Sequence, residues 1–119
     1  MIKVLVKLPG EYPEVREIEP TYEAVRDIIG GWLEVIPCTP QKDRGIIYHC
    51  DEEGKLKDLT SNIALDGDSG QVFDIIVGPI LVVKYNTDDW MSTMTSLTKD
   101  EIAFHKNWLD VRSIRCTVL

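Results

Sequence analysis

The sequence predicts a single small α+β domain, a mainly antiparallel sheet with two principal helices. Short apolar runs with strand-like alternation, beginning with residues 2–8, recur between turn residues. Residues 22–29 instead follow a helical period that ends at Gly30-Gly31. The segment Thr98-Lys99-Asp100-Glu101 matches a capping box and predicts the start of a second helix. With 119 residues and 44% hydrophobic content, the whole chain 1–119 is expected to form one domain around one core.

The N-terminal elements are predicted in order from these patterns. Residues 2–8 are expected to form a strand, and the turn at residues 9–13 leads to a second run, Val15-Arg16-Glu17-Ile18, that would pair with it as a hairpin. Thr21 is expected to cap the first helix. Gly30 would close that helix in the left-handed conformation, because glycine adopts positive φ without a steric penalty.

The middle of the chain contains three further predicted features. Residues 32–36 read as a strand, and the polar segment 37–45 reads as a loop whose two prolines oppose regular structure. This loop is the best candidate for a mobile segment. Residues 46–50 are expected to form another strand, followed by a turn at residues 51–55.

The C-terminal half is predicted to supply most of the core. A short irregular or helical piece is expected at residues 61–65. Residues 71–77 and 80–85 are the most hydrophobic strand candidates and should both fill the core. The second helix should run from its Thr98 cap to about Val111, and residues 114–119 would add a last strand or tail.

Composition disfavours several functional classes. The longest uncharged apolar run, residues 75–83, is interrupted by Gly78 and Pro79 and is far shorter than the roughly 20 residues of a transmembrane helix. No signal-peptide core is recognised, and a cytosolic location, in a host cytoplasm, is expected. The net charge of −7 disfavours direct nucleic acid binding, which depends on clustered Lys and Arg. Three cysteines without C-x-x-C spacing predict neither disulfides nor zinc.

No catalytic or metal-binding pattern is found. His49 and Cys50 are adjacent on a predicted strand and would point to opposite faces, so we expect a buried cysteine beside an exposed histidine. The segment Asp66-Gly67-Asp68-Ser69-Gly70 begins like a calcium loop, but its later ligand positions hold unsuitable residues. The common phosphate-binding and hydrolytic signatures are absent. We therefore predict a protein that is not an enzyme and has neither metal nor cofactor.

Five polar or aromatic residues are predicted to line a ligand site. Arginine makes bidentate contacts to phosphate, tryptophan stacks on a base, and Asn or Glu can hydrogen-bond to a base or ribose. The candidates are Trp32, Glu34, Arg44, Asn62 and Trp90. An ordinary role is open for each, such as a core aromatic for Trp32, a solvated strand residue for Glu34 and a solvated loop residue for Arg44.

The segment Gly30-Gly31-Trp32-Leu33-Glu34-Val35-Ile36-Pro37, directly after a helix, resembles the motif G-G-[YW]-[IL]-E-V-[IV]-P of a family of domains of unknown function encoded largely by bacteriophages and mobile elements. The resemblance continues through residues 51–56, Asn62 with Ala64, residues 74–78 and residues 96–98. It covers about residues 1–110, and residues 111–119 would be a C-terminal extension. The resemblance implies a fold and a phage setting, but no activity.

Three functional hypotheses follow. The first is a non-catalytic phage counter-defence protein that sequesters a nucleotide-derived immune second messenger, with Arg44 contacting phosphate and Trp32 or Trp90 stacking on a base. The second is an inhibitor that uses its acidic surface to bind a host defence enzyme, for example by imitating nucleic acid. The third is a structural or housekeeping interaction domain. A homo-oligomer, most simply a dimer, is expected because two protomers would enclose a charged ligand more completely.

Overall fold

A computed structural model describes residues 1–67, 70–87 and 93–114. It confirms the α+β class. The elements, in chain order, are β1 (Ile2–Lys7), β2 (Glu14–Ile18), α1 (Tyr22–Ile29), β3 (Leu33–Val35), a 3₁₀ turn (Lys42–Arg44), β4 (Ile46–Asp51), β5 (Ser61–Leu65), β6 (Asp74–Val77), β7 (Ile80–Tyr85), β8 (Met94–Thr95) and α2 (Lys99–Arg112).

The central sheet has the strand order β2-β1-β7-β4-β3, and β8 adds a short pairing to β7. Every pairing in this sheet is antiparallel. Strands β5 and β6 form a separate two-stranded sheet. The predicted antiparallel hairpin of β1 and β2 is confirmed, with Ile2 opposite Ile18.

Both faces of the central sheet are covered because alternate residues of its strands point to opposite sides. On one side, the α1 face, Val4, Val6, Leu81 and Val83 cluster with Val25 and Ile29 of α1. On the other side, the α2 face, Leu5, Tyr48 and Val82 cluster with Leu109 of α2 and with Ile63 of β5. The domain therefore has two apolar layers, separated by the sheet.

The predicted helix boundaries are confirmed by their caps. The Thr21 hydroxyl accepts a hydrogen bond from the Ala24 amide at 3.2 Å, and Gly30 ends α1 with φ of 84°. At the start of α2, the Glu101 amide donates to the Thr98 hydroxyl at 3.2 Å, and the Thr98 amide donates to the Glu101 carboxylate at 2.7 Å. Both halves of the capping box are therefore formed.

Two predictions about the chain are wrong. Residues 61–65 form strand β5, because Ile63 and Leu65 alternate into the core while β6 supplies the hydrogen-bonding partner. Residues 71–73 precede β6, and Val72 and Phe73 are exposed, so this run fills the core only in part. The expected strand at residues 114–119 lies, except for Ile114, outside the described residues.

The polar loop at residues 37–45 contains local structure. Lys42–Arg44 form a single 3₁₀ turn, which Gly45 ends with φ of 82°. The Gln41 side chain lies 2.9 Å from Nε2 of His105 in α2, so the loop is attached to the helix. No helix in the described part of the chain is long and apolar enough to span a bilayer.

Candidate functional site

The structure separates the residues that were predicted to form one ligand site. Trp32 precedes β3, whose Leu33 lies opposite Asp51 at the end of β4, whereas Arg44 precedes the start of β4. A six-residue strand is roughly 17–20 Å long, so Trp32 and Arg44 lie at opposite ends of the sheet. Trp90 lies outside the described residues. The structure therefore gives no joint site for Trp32 and Arg44.

Trp32 and Glu34 also face different sides. Glu34 pairs directly with Cys50, so its side chain lies on the α2 face. The Trp32 indole instead contacts Arg26 of α1. Each of these two exposed residues thus belongs to a different surface depression.

Asn62 is fully buried, with 0% of its surface exposed. Its Nδ2 donates to the carbonyl oxygens of Lys7 and Gly78, both at 2.7 Å, and its Oδ1 accepts from the Lys7 ammonium at 2.8 Å. These bonds connect β5 to β1 and to the turn before β7. Asn62 therefore joins the two sheets from inside the core and does not line a groove.

The half-buried Arg26 stacks on the exposed Trp32 where α1 meets β3. The guanidinium carbon of Arg26 lies 4.1 Å from the centre of the Trp32 ring and 6.0 Å from the centre of the Tyr22 ring. Nε of Arg26 also donates to the Gly31 carbonyl at 3.3 Å. The left-handed Gly30 reverses the chain, which brings the indole back over the last turn of the helix. The stack is a direct result of the glycine pair.

The stack borders an open groove of about 660 Å³, here called the junction groove. Its volume is within the ~300–1,000 Å³ range of ligand pockets. Trp32 and Tyr22 keep 56% and 45% of their surfaces exposed. Within the described residues, no carboxylate lies within ion-pair distance of Arg26, so its guanidinium keeps free donors. The lining residues are Tyr22, Glu23, Arg26, Asp27, Gly30, Gly31 and Trp32.

An ion pair between the partly exposed Lys57 and the buried Asp51 lies next to Gly31 of the groove. The Lys57 ammonium lies 2.7 Å from Oδ2 of Asp51, whose side chain is only 2% exposed. Burial alone would raise the pKa of Asp51, but hydrogen bonds from Lys57 and from the Glu53 amide outweigh it and hold the pKa below its usual range. A Cβ atom on Gly31 would lie 2.7 Å from Oδ2 of Asp51. Glycine at position 31 therefore lets the backbone lie directly on this pair.

A second depression, the edge cavity, lies on the α2 face between β3, β4 and β6 and has a volume of about 230 Å³. Glu34, Cys50, Lys55 and Asp74 are among its lining residues, and Lys55 bonds to Asp74 at 2.6 Å. Burial, reinforced by the charges of Glu34 and Asp51, raises the pKa of the Cys50 thiol to about 12. Cys50 is therefore protonated at neutral pH and is a poor nucleophile.

Both histidines are buried, which corrects the expectation of an exposed His49. Nε2 of His49 lies 2.8 Å from the Tyr85 hydroxyl, and Nδ1 of His105 lies 2.6 Å from the Tyr48 hydroxyl. Burial lowers the pKa of each imidazole to about 4. Across the described ranges, no group of three or more His, Cys, Asp or Glu side chains is arranged to hold a metal ion.

Sequence reasoning missed Arg26 and Tyr22. The sequence contained a signal for both residues. Tyr22 and Arg26 are four apart in the predicted helix and therefore lie on the same side of it, and Arg26 is one turn before the glycine pair. The cation nearest to Trp32 was therefore in the helix and not in the proline loop.

The fold and its junction groove define a small α+β domain in which two exposed aromatic side chains and an arginine meet at a helix–glycine-pair–strand junction. Residues 2–110 match the family described as "Domain of unknown function (DUF3846)", and the chain belongs to this family. This agrees with the resemblance, over about residues 1–110, to a family of domains of unknown function. No curated protein and no solved structure gives a match.

Proposed function

We propose that the protein is a non-catalytic, phage-type counter-defence protein that sequesters a nucleotide-derived immune second messenger in the junction groove, within a host cytoplasm. The observation that supports this proposal is the Arg26–Trp32 stack, with a ring-to-guanidinium distance of 4.1 Å in an open groove. It combines a stacking surface with a free cationic donor, the two groups that a nucleotide requires.

The side chains of the groove suit different parts of such a ligand. The exposed indole of Trp32 offers a surface to a base, while Arg26 donates hydrogen bonds to a phosphate. Glu23 and Asp27 also line the groove, and their carboxylates accept hydrogen bonds from ribose hydroxyls or base amino groups. Two carboxylates repel a highly charged ligand. We therefore expect a cyclic nucleotide or a cyclic ADP-ribose isomer rather than a nucleoside triphosphate.

Release of an intact ligand is expected because the groove's described lining holds no activated nucleophile and no histidine base. Cys50 lines the edge cavity on the α2 face. Both histidines are buried and hydrogen-bonded to tyrosines. Each protein molecule would thus hold its ligand without converting it, so the amount of protein would limit the amount of messenger removed.

Titration calorimetry against cyclic nucleotides and cyclic ADP-ribose isomers tests the proposal. Arg26→Ala should weaken binding by ~1.5–3 kcal/mol, the value of a hydrogen bond to a charged group. Trp32→Ala should weaken it by ~1–3 kcal/mol through lost stacking. Denaturing the complex and analysing the supernatant by mass spectrometry should recover the unmodified ligand.

Arg44→Ala is the matched control, because it removes the same side chain at the other end of β4. Unchanged binding by this variant is expected. Weaker binding by Arg44→Ala, with Arg26→Ala unchanged, would place the ligand in the proline loop. No heat with any compound, together with recovery of one host protein in a pull-down, would favour the acidic inhibitor.

A dimer belongs to the same proposal, because the junction groove is open and a second protomer would enclose its ligand. Light scattering with and without ligand tests this. A monomer under both conditions would contradict the predicted dimer. It would not contradict ligand binding, which the calorimetry tests separately.

A further inference from the structure

Strand β3 is an open edge of the central sheet. The Ile36 amide donates to the Tyr48 carbonyl at 2.9 Å, and the Glu52 amide donates to the Trp32 carbonyl at 2.9 Å. In an antiparallel pair, residues alternate between bonding to the partner strand and pointing their backbone groups away from it. The amides and carbonyls of Leu33 and Val35 therefore point outward, and within the described residues they have no hydrogen-bond partner.

The edge cavity lies directly beside this open edge and is negatively charged. Lys55 pairs with Asp74, and Lys57 pairs with Asp51. Glu34 and Glu52 also line the cavity, and they have no ion pair within the described part of the chain. A strand added beside β3 would place the residue opposite Glu34 on the same face, at the mouth of this cavity. A basic side chain fits that position.

The charge of Glu34 also disfavours a second copy of this chain at the edge. Symmetric antiparallel pairing of two β3 strands about their central residue would place the two Glu34 carboxylates opposite each other, and like charges in direct cross-strand pairs are destabilising.

We propose that the β3 edge binds an extended segment of a protein partner as an added strand, with a Lys or Arg of that segment opposite Glu34 and reaching into the edge cavity. The backbone groups of Leu33 and Val35 supply the hydrogen bonds, and the cavity carboxylates supply the selectivity. The edge cavity lies on the α2 face, whereas the junction groove lies beside α1.

Synthetic peptides of alternating threonine and valine, with Lys, Gln or Glu at the centre, test the proposal against the full chain. The Lys peptide should bind roughly tenfold more tightly than the Glu peptide, the difference between an opposite-charge and a like-charge cross-strand pair. Amide hydrogen exchange should show that Leu33 and Val35 become protected by the Lys peptide. Equal affinity for the Lys and Glu peptides, or protection elsewhere only, would overturn the proposal.

Three variants sharpen the test. Glu34→Lys should reverse the preference, so that the Glu peptide binds more tightly. Val35→Pro removes an outward amide and no bond to β4, since proline is accepted on an edge strand when its nitrogen faces solvent. It should fold and lose peptide binding, whereas Val35→Thr, which keeps the amide, should bind normally. A Val35→Pro variant that folds and still binds would overturn the proposal, as would Glu34→Lys with an unchanged preference.

Discussion

The hydroxyl of Tyr48 lies 2.6 Å from Nδ1 of His105. Nε2 of the same ring lies 2.9 Å from the side-chain oxygen of Gln41, which can only accept. Nε2 therefore carries the proton, and Nδ1 accepts a hydrogen bond from Tyr48. Burial raises the pKa of Tyr48, so its hydroxyl remains a donor. This chain of bonds joins β4, α2 and the 37–45 loop, and it requires a neutral imidazole.

The first prediction is a loss of stability in mild acid. The folded-state pKa of both His49 and His105 is about 4, below the ~6.5 of an unfolded histidine. The unfolded chain therefore binds more protons between these values. The free energy of unfolding should be highest above pH ~6.5, fall as the pH decreases, and stop falling on account of these groups below about pH 4.

Urea denaturation across this pH range measures the effect, and its slope should approach uptake of about two protons on unfolding. His105→Gln, which keeps a polar side chain, should reduce the slope by about half. A pH-independent free energy of unfolding between pH 5 and pH 7 would contradict the burial of neutral histidines.

The second prediction compares the two glycines of the junction. Gly30→Val forces a β-branched residue into positive φ where its Cβ meets no atom within 4 Å, so the cost is backbone strain of about 1–2 kcal/mol. Gly31→Ala should cost about 1–3 kcal/mol for a different reason, because its Cβ would displace the Asp51 carboxylate. Thermal melts that show both variants to be as stable as the parent would refute this description of the junction.

The third prediction concerns the cap of α2. Thr98→Ala should lower the free energy of unfolding by about 1 kcal/mol, because the Glu101 amide loses its acceptor. Thr98→Ser keeps a hydroxyl at the same position and should retain most of the stability. Chemical denaturation of the three proteins side by side measures the difference, and an equal loss in both variants would exclude the cap as its cause.

The fourth prediction concerns the buried amide of β5. Asn62→Ala removes one acceptor of the Lys7 ammonium and the donor for two carbonyls, so we expect a loss of about 3 kcal/mol. Ser61→Ala, an exposed change in the same strand, should be nearly neutral. Equal stability of the two variants in urea would show that Asn62 has no role in joining the sheets.

The sequence predicts elements well where a local rule decides the structure. Thr21, Gly30 and Thr98 set helix ends through bonds and dihedral angles within a few residues, and the structure shows each as expected. Strand β5 was missed because its identity depends on pairing with β6, and the alternation of Ile63 and Leu65 spans only five residues. A period that short does not separate strand from helix.

The candidate site was predicted less well because chain distance does not give spatial distance. Trp32 was placed correctly beside the glycine pair, but its cationic neighbour is Arg26 and not Arg44. Asn62 looked available because polar residues are usually exposed, whereas its three hydrogen bonds satisfy it inside the core. The Asn62 contacts join distant parts of the chain, which no local pattern encodes, whereas the Arg26 contact is local to the glycine junction.

Strand β7 lies between β1 and β4 in the sheet but follows both in the chain. During synthesis, the central sheet therefore cannot be completed until β7 has been made. A ribosome-bound chain that ends before residue 80 contains the separate β5–β6 sheet and two pieces of the central sheet, β1 with β2 and β3 with β4, with no strand to join these two pieces. Each piece then exposes one edge that is central in the finished protein, and such edges promote aggregation. A fragment of residues 1–79 should therefore sediment from solution, whereas a fragment that extends through α2 should remain in the supernatant.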